Sequence, residues 1–164
     1  NVWSLGFCRL KEYWSANSEK IQNVKYKNVF IKRKLVDKKK VYSYRDYINI
    51  DSYIEHLKET YNDLQIVSLE DLDFTEQVDL FFSVENLFLS YGGELYNLYM
   101  CNNLKNVYEM RPDEFLGCPI PMLHPIGLHI ENTLVKLYNV NWNIVPLKMV
   151  EYETHTKYTA EIVF

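Results

Sequence analysis

The chain has 164 residues, of which 48% are hydrophobic and 24% charged, and its formal net charge is −4. That length supports one buried core, the composition excludes a disordered chain, and the charge gives the whole molecule no electrostatic reason to bind nucleic acid. No apolar run approaches the roughly 18 residues that a membrane-spanning helix needs, so a soluble single domain over 1–164 is expected.

Residues 1–24 show no clear period, and Trp3, Phe7 and Trp14 are the expected packing anchors there. Asn28–Lys34 (NVFIKRK) reads as a strand because it is rich in β-branched and aromatic residues. The stretch from Lys25 to Arg45 is basic, with Lys32, Arg33, Lys34, Lys38, Lys39, Lys40 and Arg45 against Asp37. Such a run is either a solvated sheet edge or a site for a polyanion or nucleotide phosphate. Asp37–Lys40 is an expected exposed turn, and Val41–Tyr47 a second short strand.

Asp51 is the expected N-cap of a helix in which Tyr53, Ile54, Leu57 and Tyr61 share one face. Gln65–Leu69 reads as a strand. Thr75 is then the expected cap of a helix that buries Val78, Phe81 and Phe82. Asn86–Ser90 is strand-like and runs straight into Tyr91-Gly92-Gly93, after which Glu94–Cys101 reads as helix with Leu95, Leu98 and Tyr99 inward. Asn106–Met110 is a further strand, stopped by Pro112. A proline-bearing loop leads to Pro125, Leu128–Tyr138 reads as helix, and Asn143–Tyr152 with Lys157–Phe164 forms a C-terminal hairpin.

Short strands alternating with helices of about ten residues predict an α/β fold, a Rossmann-like, mostly parallel sheet flanked by helices. In such sheets ligands sit beyond the carboxyl ends of the strands. The Gly92-Gly93 pair lies in a strand-to-helix turn of that kind, where glycine permits close backbone approach and the following helix offers free N–H groups to an anion.

Phe74 to Pro112 (FTEQVDLFFSVENLFLSYGGELYNLYMCNNLKNVYEMRP) resembles the most recognisable segment of glycosyltransferase family 61. Glu76-Gln77 matches that family's helix start, Gly92 and Gly93 the Gly-Ala closing its strand motif, Leu95, Asn97 and Leu98 the next helix, and Glu109 the acid of a later strand. Upstream, Val29 to Arg33 resembles its strand ending in arginine. The likeness covers roughly residues 28–112, with weaker support to about 150. It implies one Rossmann-like half of a two-domain enzyme that moves a sugar from a nucleotide-sugar donor onto a glycan or protein acceptor. On that basis Arg33 and Lys34 would neutralise the diphosphate, the Tyr91-Gly92-Gly93 turn would carry phosphate or ribose, and Glu109 would accept from ribose hydroxyls. Asn97 matches the family helix, where capping or bracing that helix is its other reading; the other readings of Arg33 and Glu109 are a surface strand residue and a partner of Arg111 or Lys105.

The departures are equally definite. The family's histidine falls on Tyr91, whose unperturbed pKa of roughly 10 is wrong for a base at neutral pH, and a family glycine falls on Leu89. The chain is too short for both halves, and it starts with Asn rather than Met, so it is expected to be a piece or processed product of a longer protein. No catalytic residue is assigned, and an eroded site or a non-catalytic interaction subunit is the alternative. Cys8, Cys101 and Cys118 stand far apart, and His124 and His129 do not share a helical face, so neither metal nor cofactor is expected.

Overall fold

The computed structural model describes residues 26–34, 44–112, 125–154 and 157–164, with residues 12 and 16 besides. Trp3, Phe7, Trp14, Cys8, Cys118, His124, His155 and the Asp37–Lys40 turn lie outside the described residues, as does the loop over 113–124. Seven strands make one sheet: β1 (Asn28–Ile31), β2 (Tyr44–Tyr47), β3 (Leu64–Val67), β4 (Asn86–Ser90), β5 (Asn106–Pro112), β6 (Asn141–Thr154) and β7 (Lys157–Ile162). Their order is β2-β7-β6-β5-β4-β1-β3. Neighbours pair parallel except β6 and β7, which pair antiparallel with Thr154 opposite Lys157. The fold is thus mixed α/β with a mostly parallel sheet.

Both faces of the central strands are covered, which is why β4 reads as an unbroken apolar run. On one face Val29, Leu87, Leu89 and Val107 pack under α2 (Phe74–Ser83), the segment Gly93–Met100 and α3 (Pro125–Tyr138). On the other, Phe30, Phe88 and Met110 pack against Tyr53, Ile54 and Leu57 of α1 (Ile50–Thr60) and against Tyr47 and Tyr158. β2 is an edge strand, but it pairs with β7 rather than with β1. Register shifts between Met149 and Glu151 and between Tyr152 and Thr154 bend β6, and such bulges raise local twist and curl the sheet.

The register of the parallel strands is fixed by two rows of side chains. Asn28, Asn86, Asn106 and Asn141 stand opposite one another at the starts of β1, β4, β5 and β6. Each amide donates to the next: Asn141 to Asn106 at 3.0 Å, Asn106 to Asn86 at 2.6 Å, Asn86 to Asn28 at 2.7 Å. Asn28 closes the row on Asp63. Two residues further along the same face, Phe30 stacks on Phe88 and Phe88 on Tyr108, the second pair with centroids 4.4 Å apart. Tyr61 meets Phe88 edge-on and donates its hydroxyl to that of Tyr108 at 2.9 Å.

Three local expectations are corrected. Helix α1 is preceded by Asn49 rather than capped by Asp51; the Asn49 amide instead exchanges two 2.8 Å hydrogen bonds with the backbone of Ile162. Helix α2 is capped by Asp73, not Thr75, through a reciprocal capping box in which Asp73 accepts from Glu76 N–H at 2.8 Å and Glu76 accepts from Asp73 N–H at 2.9 Å. Gly93–Met100 is 3₁₀ rather than α-helical.

Asn86→Ala removes the middle of the amide row and leaves an acceptor on Asn28 and a donor on Asn106 without partners. The expected loss is about 1–3 kcal/mol, read as a lower urea midpoint at unchanged m value.

Candidate functional site

The sheet order turns back at β1. After β1 the chain visits β2 at the far edge, returns to β3 on one side of β1 and then crosses to β4 on the other. The carboxyl ends of β1 and β4 therefore mark the position at which open α/β sheets bind ligands. Arg33 follows β1 and Gly92 follows β4, and the two ends are tied together: Arg33 donates through Nε and Nη2 to Oε1 of Glu94. Both remain within reach of solvent, with side chains 28% and 12% exposed. Gly93 is exposed.

Gly92 has φ 156° and ψ −155°, a region essentially closed to other residues. Its missing side chain also matters in space. A Cβ there would lie 1.9 Å from Nη1 of Arg45 and 3.1 Å from Oε2 of Glu94. Arg45 is on β2, with three strands between it and β4 in the sheet, so only the curl of the sheet brings its guanidinium over the glycine. Gly93, by contrast, has nothing within 4 Å of a Cβ. The segment that starts at Gly93 closes 3₁₀ turns, with Leu95 N–H donating to Gly92 at 3.1 Å, and such a segment leaves its first N–H groups free of intrahelical partners.

Several polar groups around this point lack partners among the described residues: Nε and Nη1 of Arg45 and Oε2 of Glu94. Burial pushes the Tyr47 hydroxyl above its ordinary range, opposed by the nearby Ser90 and Tyr158 side chains and by the charges of Arg45 and Arg33. Burial likewise holds Tyr158 well up. Both phenols stay protonated near neutral pH and keep an O–H to donate.

The sequence-predicted residues divide. Arg33, Gly92 and Gly93 converge, and Asn97 is half-buried further along the same segment. Lys34 turns to the other flank and pairs with Asp71 beyond β3. Tyr91 is packed into the core with Leu87 and Leu89, because alternate residues of a strand share a face. Glu109 is fully buried and does not reach that position; it accepts from Arg111 and, at 2.8 Å, from the Trp142 indole N–H. Arg111 also bonds Glu131 of α3 at 2.7 Å. Burial pushes the Glu109 carboxyl up against the opposing effect of Arg111 and Trp142, while Arg111 stays charged because Glu109 and Glu131 more than offset its own burial. Arg45, Glu94, Ser90, Tyr47 and Tyr158 were missed by sequence reasoning; the only signal was Arg45's membership of the basic run.

Among the described residues no cluster of His, Cys, Asp and Glu is gathered as a metal site, and no helix is long and apolar enough to cross a membrane. A family model for glycosyltransferase 61 matches residues 1–108. The chain belongs to that family. The matched span contains Arg33, Arg45, Gly92 and Glu94 and stops one residue short of Glu109. No curated protein matches the chain.

Gly92→Ala is expected to lose about 1–3 kcal/mol, chiefly from the backbone since the Arg45 guanidinium can swing aside, whereas Gly93→Ala should stay within about 0.5 kcal/mol of wild type by thermal denaturation. Glu109→Ala leaves Arg111 and the Trp142 N–H short of a buried acceptor, and chemical unfolding should register a loss of about 3–5 kcal/mol.

Proposed function

We propose that this chain is the donor-binding half of a glycosyltransferase. In this reading it is a Rossmann-like unit with a β6–β7 hairpin at one side, and it holds the diphosphate of a nucleotide sugar for transfer to a glycan or protein acceptor. The observation that carries the reading is the ion pair of Arg33 with Glu94, directly after the Gly92-Gly93 turn, at the point where the strand order turns back. Membership of the glycosyltransferase 61 family supports the chemistry.

In such a transfer the acceptor hydroxyl oxygen bonds the anomeric carbon as the bond from that carbon to the diphosphate oxygen breaks; the hydroxyl proton is lost to solvent and the nucleoside diphosphate leaves. One further negative charge then collects on the departing diphosphate. A guanidinium already in position stabilises that added charge more than it stabilises the intact donor, which is the condition for catalysis. Arg33 takes this role. The backbone of Gly92 and Gly93 admits phosphate or ribose closely, Asn97 lies further along the same segment, and Lys34 adds positive charge at the flank. Tyr91 and Glu109 brace the site from within the core rather than touching the ligand.

A second reading, a non-catalytic subunit that keeps the fold for contacts within an assembly, is favoured by one observation. Where the family pattern has histidine, this chain has Tyr91, and its ring is buried in the core.

Thermal melting with uridine or guanosine diphosphate tests the donor site. At 100 times Kd, ligand binding to the folded chain adds about 2.7 kcal/mol of stability. Arg33→Ala should lose the shift while melting near wild type without ligand. Absence of any shift in the wild-type chain overturns the reading.

A further inference from the structure

Donors outnumber acceptors around Gly92. Arg33 places two N–H groups on a single oxygen of Glu94, while the other oxygen, Oε2, is buried without a partner among the described residues. Arg45 brings two more N–H groups to the same point, also buried and unpartnered, although an opposite charge stands beside them. The hydroxyls of Tyr47 and Tyr158, both nearly fully buried, lie beside each other and close enough to feel both arginines, with Ser90 next to Tyr47. Buried guanidinium groups are ordinarily satisfied, and a cluster left short of acceptors is matched to a group with more oxygens than one carboxylate.

We propose that Glu94 is an internal stand-in for an anion, and that a diphosphate bridging Arg33 and Arg45 displaces it. The inference rests on the donor-site reading and adds to it a second cationic arm and a built-in competitor. A carboxylate and a phosphate cannot share the two arginines, because like charges in a partly desolvated site repel. A diphosphate carries enough oxygens to engage both guanidinium groups and the two hydroxyls, so it replaces Glu94 with a net gain in hydrogen bonds. The carboxylate has somewhere to go, since the chain at Gly93 is exposed with open space beside it. Gly92 is what makes the two-armed arrangement fit: any side chain there would stand where the Arg45 guanidinium lies.

The test is isothermal titration of the full chain with inorganic pyrophosphate and with uridine diphosphate, comparing wild type, Glu94→Gln, Glu94→Ala and Arg45→Met. Removing the competing charge should tighten both ligands about tenfold or more in each Glu94 variant, as expected for loss of a charge-assisted contact. Arg45→Met should weaken pyrophosphate by a similar factor. The Glu94→Ala chain keeps the test decisive if Glu94→Gln folds poorly. Should the wild-type chain bind uridine diphosphate while neither Glu94 variant binds more tightly, the stand-in role is overturned and the donor site survives. Binding seen only in the Glu94 variants overturns the proposal, because a carboxylate that no diphosphate displaces is a fixed ion-pair partner rather than a stand-in. Absence of binding in all four chains overturns the donor site and the stand-in together.

Discussion

The amide row across the starts of β1, β4, β5 and β6 is the constraint on which the remaining geometry depends. Each asparagine both donates and accepts along the row, so a strand that slipped by one residue would break two hydrogen bonds and turn its apolar residues to the wrong face. The aromatic row two positions later repeats the same alignment with Phe30, Phe88 and Tyr108. With their starts level, β1 and β4 also finish level, and Arg33 meets Glu94 beside Gly92 instead of passing it. Order at one end of the sheet thereby sets the chemistry at the other.

Two ion-pair groups in this fold differ in how far burial closes them. In the first, Glu109 is wholly buried and bonds Arg111 and the Trp142 indole N–H, while Arg111 also reaches the part-exposed Glu131 of α3. Such a pair is difficult to open because either charge alone would be left in the core. In the pair of Arg33 and Glu94 neither side chain is wholly buried, unlike Glu109. An ion pair that can be exchanged for another anion needs that partial access. The curl of the sheet adds the second arm: an edge strand far from β4 in the sheet order delivers Arg45 to the glycine.

Much of the layered architecture could be read from local patterns, because strands covered on both faces and helices with one apolar face leave distinct traces. The 3₁₀ character of Gly93–Met100 could not, since Leu95 and Leu98 are three apart and that spacing suits either helix. Asp73 and Glu76 have the capping-box spacing, and that reciprocal pair takes the N-terminus in place of Thr75. The Asn-x-aromatic beginnings at Asn28, Asn86 and Asn106 also stood in plain view, and only pairing turned them from a composition bias into a register device. Near the candidate site, Arg33 and the glycine pair stand out in the sequence because a strand-end cation and a Gly-Gly turn are local features. The burial of Tyr91 and Glu109 follows from strand alternation, since each shares its face with buried neighbours, and of the partners open to Glu109 the fold supplies Arg111. Arg45 needed the three-dimensional curl, which leaves no short-range signal.

Nuclear magnetic resonance titration with uridine diphosphate, following backbone amides, arginine Nε–H and indole N–H signals together, is the most direct measurement of whether the position beyond β1 and β4 takes the donor. The expected result is a saturable change at Gly92, Gly93 and Arg33 while the Trp142 indole signal, held by Glu109 in the core, stays in place. Changes confined to Trp142 and its neighbours, or none at the glycine pair, would contradict it.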